Sequence, residues 1–179
     1  MAGLLDNIKQ QMRTAGVNPR QSGAVDWLVS QIPKFKVSPS ALLNNPSKGG
    51  RAMIGAMYFF NYDAKYKDTL PVWDKYPLVL PTDLYADGFL GLNLHYLDPG
   101  SRVYLLDLLQ DFATNDKYND STRFEMSYKL LNGSKKYDMI QPCVKRYLFS
   151  HIQSSLVYIA PEDWSIACFL PVQRMVYRK

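Results

Sequence analysis

The chain has 179 residues, 47% of them hydrophobic and 21% charged, which fits one domain of ordinary size plus an extension. No run approaches the roughly 20 apolar residues that span a bilayer. The opening MAGLLDNIKQQMR lacks the charged-then-apolar order of a signal peptide, so neither a membrane partner nor export is expected. The net charge of +5 is one-sided: residues 1–56 hold Lys9, Arg13, Arg20, Lys34, Lys36, Lys48 and Arg51 against only Asp6 and Asp26, whereas residues 57–179 carry fourteen charges of each sign.

Leu4, Leu5, Ile8, Met12 and Ala15 share one side of a helix predicted over 4–15. A second helix is predicted over Ser22–Ile32, capped by Ser22 and ended by Pro33, with Val25, Leu28, Val29 and Ile32 as its apolar stripe. Helices this short are marginal alone, so their stripes must pack either on the body of the protein or on a neighbouring chain. From Pro33 to Ala56, Pro33, Pro39, Pro46 and the Gly49-Gly50 pair predict an extended connector. A boundary here gives a basic N-terminal arm, 1–56, and a body, 57–179. That layout suits assembly or nucleic acid, because clustered cations attract phosphate and acidic surfaces.

The body opens on an aromatic strand, Met57–Tyr62, followed by a strand over Tyr76–Leu80 that Pro81 closes. Asp87-Gly88 is a turn signal, and Phe89–Tyr96 alternates after it. Gly91, between Leu90 and Leu92, predicts a bulge or a close backbone approach. Three helices are then expected: one from an Asp98-Pro99 start through about Ala113, one over Asp120–Leu131, and one over Met139–Ser150 carrying Ile140, Val144 and Leu148. Leu156–Ile159 and Ser165–Leu170 read as late strands. The expected class is α+β: a small antiparallel sheet or partly open barrel with a three-helix insertion, preceded by the extended arm with its two short helices.

Catalytic patterns are thin. Asp83, Asp87, Asp98, Glu162 and Asp163 sit where turns and caps need them, whereas two-metal hydrolysis needs carboxylates converging on a metal pair. His95 and Cys168 would make a nucleophile and base only if their strands were adjacent, and no orienting acid is recognisable; a hydrogen-bonded structural histidine is the expectation. His151 is expected at a helix C-terminus, where the dipole favours it. Cys143 and Cys168 are too few for a disulfide scaffold and, with two histidines, form no zinc spacing; both are expected to be buried apolar side chains. Lys48-Gly49-Gly50-Arg51 neither follows a strand nor opens a helix as a phosphate loop would, and reads as a hinge with two cations. No enzyme, cofactor or metal is expected.

The stretch from Met57 to Leu109 resembles small virion proteins of contractile-tailed, T-even-related phages, many of them identified as DNA end-protector proteins. The resemblance is carried by Tyr62-Asp63, Leu70-Pro71, Trp73-Asp74, Tyr76-Pro77-Leu78, the run Gly88-Phe89-Leu90-Gly91-Leu92-Asn93-Leu94-His95-Tyr96-Leu97 and, later, Trp164–Pro171. It implies a non-enzymatic virion protein, made in the host cytoplasm and assembled with other virion proteins. Its label implies binding the ends of packaged linear duplex and shielding them from exonuclease. It assigns no DNA contact residue by residue.

Two readings stay open. In the first, the chain is a structural subunit whose arm threads along neighbours in the tail, baseplate or neck. In the second, it binds termini of packaged duplex DNA without sequence specificity, since no helix-turn-helix, zinc finger or single-strand aromatic motif is present. Either way the partner-binding candidates are Lys9, Arg13, Arg20, Lys34, Lys36, Lys48, Arg51, Arg174, Arg178 and Lys179.

Overall fold

The computed structural model describes residues 3–18, 21, 23–113, 133 and 140–178. Within them lie four labelled helices, α1 (Leu4–Thr14), α2 (Ala24–Gln31), α3 (Pro39–Leu43) and α4 (Pro99–Ala113). The strands are β1 (Lys48–Gly49), β2 (Met57–Phe59), β3 (Val72–Asp74), β4 (Leu78–Tyr85), β5 (Gly88–Asn93), β6 (Val144–Leu148), β7 (Leu156–Ile159) and β8 (Met175–Tyr177). Six form an open antiparallel sheet in the order β1-β7-β2-β4-β5-β6, and β3 pairs with β8 as a separate ribbon. The class is α+β, as expected, and the early strands do pair with a late one through β2 and β7.

Both faces of the sheet are covered, and the two-residue period of β2 shows why. Met57 and Phe59 enter one apolar cluster, whereas Tyr58 and Phe60 enter the other. The first cluster is closed by Leu5, Ile8 and Met12 of α1, Ala24 and Leu28 of α2, Leu42 of α3, and Leu105, Leu106 and Leu109 of α4. Each leucine, isoleucine or methionine among them contributes about 1.5–3 kcal/mol on burial, enough together to hold helices that would be marginal alone. The second cluster is aromatic: Tyr147 meets Phe60 at 5.3 Å and Tyr62 at 5.0 Å, both edge-on.

The buried side chains of the N-terminal helices are therefore covered by the chain's own body. Lys9 of α1 adds an ion pair to Asp163 at 2.9 Å. The expected extended connector contains α3, capped by Ser38 through a 3.1 Å bond from the Ala41 N–H, and β1 on the edge of the main sheet. On α2 the buried residues are Ala24 and Leu28, while Val29 is exposed, so the stripe is rotated from the expected one. The helix begins after Gly23, whose φ of 89° lies in the left-handed region; Ser22, the expected cap, lies outside the described residues.

Three body elements differ from expectation. The strand expected to stop at Pro81 runs on to Tyr85, because a bulge at Thr82, between the Pro81–Gly91 and Asp83–Leu90 pairs, relieves the ladder where proline lacks its donor. The third expected helix, Met139–Ser150, is instead a 3-10 turn (Gln141–Cys143), the edge strand β6 and a second 3-10 turn (Phe149–His151). The late strand over Ser165–Leu170 is a short helix, Trp164–Ala167, anchored by the Trp164 indole N–H donating to the Ile159 carbonyl. The expected helix over Asp120–Leu131 lies outside the described residues.

A candidate nucleic-acid interface

A buried polar knot joins the ribbon to the sheet. Asp74 accepts from the Tyr76 and Arg174 backbone N–H groups through one oxygen, at 3.1 and 3.3 Å. Its other oxygen takes Asn93 Nδ2 at 3.1 Å and His95 Nδ1 at 2.7 Å. Asn93 Nδ2 also donates to the Tyr147 hydroxyl at 3.1 Å. The half-buried face that bears Asn93 and His95 thus has the hydrogen-bonded polar side chains its sequence pattern implies.

Above this knot lies a cavity of about 410 Å3, within the usual size range for a small-molecule site. Tyr62 and Tyr147, both buried, form its floor; Trp73 and Tyr96, half-buried, form walls; Tyr66 stands exposed at the lip. Lys65, Lys145 and Arg146 line the same cavity. Lys145 Nζ lies 4.5 Å from the Tyr96 ring centre, and Lys65 Nζ 5.3 Å from that of Tyr66. Arg146 pairs with Asp87 and stacks 4.1 Å above Tyr85. The Trp73 indole N–H has no hydrogen-bond partner among the described residues.

The chemistry of this cavity is that of flat rings and fixed cations. Burial, with the Asp74 charge added, pushes the Tyr96 hydroxyl up to about 12 and that of Tyr147 well above its usual value. Burial raises Tyr62 as well. The tyrosines of the floor are accordingly neutral at physiological pH, the cations of the lining are Lys65, Lys145 and Arg146, and Asp74 is its carboxyl group. Planar groups can stack here while anions are held beside them.

The residues weighed for catalysis have other partners. His95 spends Nδ1 on Asp74, and burial pushes the Cys168 thiol up to about 12, far from a nucleophile's range. Cys143 and Cys168 are both buried, in a 3-10 turn and at the end of a short helix. His151 sits in the Phe149–His151 turn, and Nδ1 pairs with the Asp63 carbonyl at 2.8 Å, so a helix dipole is not what holds it. Asp98 caps α4 through the Ser101 N–H at 3.0 Å; Asp87 and Asp163 are salt-bridged. Among the described residues no three of His, Cys, Asp and Glu cluster as metal ligands would.

The cations singled out from sequence are scattered. Arg13, Lys36 and Arg51 are exposed and make no ion pair among the described residues. Lys34 donates to Gln31 at 2.7 Å, and Lys9 is taken by Asp163. Lys48, which donates to the Leu43 carbonyl, and Arg51 share a second, more open groove with Gly49, Gly50, Ser154 and Ser155. Arg174 and Arg178 flank β8, whose partner β3 supplies Val72, Trp73 and Asp74 to the aromatic cavity. Arg20 and Lys179 lie outside the described residues. Lys65, Lys145 and Arg146 are absent from the sequence-derived candidates, because the body is neutral in sum and hides a local excess.

Residues 4–179 match the family model described as Phage T4 terminal DNA protecting protein. No curated protein and no solved structure matches the chain.

Proposed function

We propose, from the premise that this chain belongs to the Phage T4 terminal DNA protecting protein family, that it binds the ends of linear duplex DNA and shields them from exonucleases. The match over residues 4–179 is the observation that carries this reading. Its physical support is a net charge of +5 together with exposed cations that pair with no carboxylate among the described residues, Arg13, Lys36 and Arg51 among them. Such contacts grip phosphate wherever it lies, so binding is independent of base sequence and weakens steeply with salt.

The rival reading, an arm threading through the tail, baseplate or neck, drew on the need of short helices for a surface to pack on. Here α1, α2 and α3 bury Leu5, Ile8, Met12, Ala24, Leu28 and Leu42 in the chain's own core, while Val29 of α2 stays exposed. The packing of these buried side chains uses the chain's own core and does not need a neighbouring subunit.

The test is digestion by an end-dependent exonuclease. Purified protein added to linear duplex should extend its lifetime in proportion to occupancy of the ends. An endonuclease acting on a closed circle should proceed at its normal rate. Unchanged exonuclease digestion at protein excess, under low salt, refutes the reading.

A further inference from the structure

We infer that the aromatic cavity flanked by the β3–β8 ribbon receives the terminal nucleotide of a DNA strand, its base unstacked from the duplex and inserted against Trp73, Tyr96 and Tyr66. The inference rests on the DNA-end reading and gives it a recognition site.

Exposed cations cannot tell an end from the middle of a duplex, because every step along the duplex presents the same phosphates. At an end the last base has a stacking neighbour on one side only. Extracting an internal base costs unpairing and unstacking on both sides, and that cost is least where a base is already single-stranded. A pocket that accepts one base is therefore a selector for ends.

The cavity has the parts such a selector needs. Its volume of about 410 Å3 suits one small planar ligand. Trp73 stands half-buried in its wall, its indole N–H without a partner among the described residues, a side chain that a base can both stack on and hydrogen-bond. Aromatic platforms bind bases of any sequence, because every base has a π-face. Lys65 and Lys145 lie over rings that line the cavity, which places charge beside the stacked base, where its phosphate would sit. Arg146, which pairs with Asp87, is the third cation of the lining. This pairing of rings with cations selects a nucleotide over an aromatic side chain from another protein, which brings no phosphate.

The experiment compares two duplexes of one sequence, a linear one with a single-nucleotide 3′ overhang and a dumbbell whose ends are closed by loops. Wild-type protein should bind the open duplex more tightly, and Trp73→Ala should cut that preference by about five- to 150-fold, the range expected for one lost stacking contact. Lys145→Gln should reduce it less. A 2-aminopurine placed as the overhanging base should be quenched on binding the wild-type protein. Full preference retained by a folded Trp73→Ala variant overturns the inference and leaves the DNA-end reading standing. Absence of any preference in the wild-type protein overturns both. Should Trp73→Ala fail to fold, the 2-aminopurine signal decides: emission unchanged at saturating wild-type protein rejects the site.

Discussion

Asp74 Oδ2 lies 2.7 Å from His95 Nδ1, and both side chains are shut off from solvent, at 1% and 0% exposure. The contact joins the ribbon to the main sheet, since Asp74 ends β3 and His95 follows β5. Asp74→Ala would strand four donors, from Tyr76, Arg174, Asn93 and His95. The expected loss is about 3–5 kcal/mol in urea unfolding, the range for breaking a buried charged network. Asp74→Asn keeps one accepting oxygen and should lose less. A loss under about 1 kcal/mol for the alanine variant would mean the knot contributes little beyond an ordinary hydrogen bond.

Two glycines of β5 are packed too closely for a side chain. A Cβ on Gly88 would strike the Tyr147 carbonyl oxygen, and one on Gly91 would strike a methyl of Val79 with the Leu80 carbonyl 3.0 Å away. Gly91→Ala should cost roughly 1–3 kcal/mol, typical of overpacking. Gly88→Ala should cost more, because backbone yields less readily than a methyl group. Thermal melts of the two variants rank them directly, and the reverse order contradicts the packing.

Lys9 and Asp163 fasten α1 to the C-terminal part of the chain. Burial raises the Asp163 carboxyl, and Lys9 pulls it only partly back. Burial alone would lower Lys9, but its bond and charge interaction with Asp163 outweigh that and raise it. Lys9→Ala removes the restraint on Asp163, whose pKa should climb further. The variant should then lose about 1–3 kcal/mol at pH 7. The folded variant holds a proton that the unfolded chain releases once pH exceeds the ordinary carboxylate value. Its deficit should therefore shrink as pH falls from 7 toward that value. A deficit that stays constant or grows on acidification would show that the carboxylate is not what suffers.

Cation placement predicts which lysines and arginines set the salt dependence of DNA binding. Arg51 is exposed and unpaired among the described residues, whereas Lys9 is already neutralised by Asp163. Arg51→Gln should flatten the slope of log K against log salt by about 0.9, one duplex phosphate contact. Lys9→Gln should leave it unchanged. Equal slopes for all three proteins would remove Arg51 from the interface.

What the sequence disclosed follows its local signals. Leu156–Ile159, ahead of Pro161, is strand β7 at the expected residues, and the Asp87-Gly88 turn marks the β4–β5 hairpin. Gly91 meets the close approach its spacing implied. Failures come where local pattern is ambiguous or the partner is distant. Ile140, Val144 and Leu148 repeat every four residues and mimic a helix stripe, yet β6 buries Tyr147 on the aromatic face while Val144 packs against the other. Trp164–Ala167 is apolar nearly all round, which leaves no period to read. The apolar face of α1 was visible; its destination was not, because Asp163 and Trp164 lie some 150 residues further along the chain. The aromatic cavity was hidden for the same reason, being assembled from the 62–74 stretch, Tyr96 and β6.

The central claim concerns where on DNA the protein sits, and a hydroxyl-radical footprint on an end-labelled linear duplex measures that directly. At saturating protein and moderate salt, protection should be confined to about the last helical turn at each terminus, whatever its sequence. Protection spread evenly along the duplex, or none at either terminus, would contradict the account.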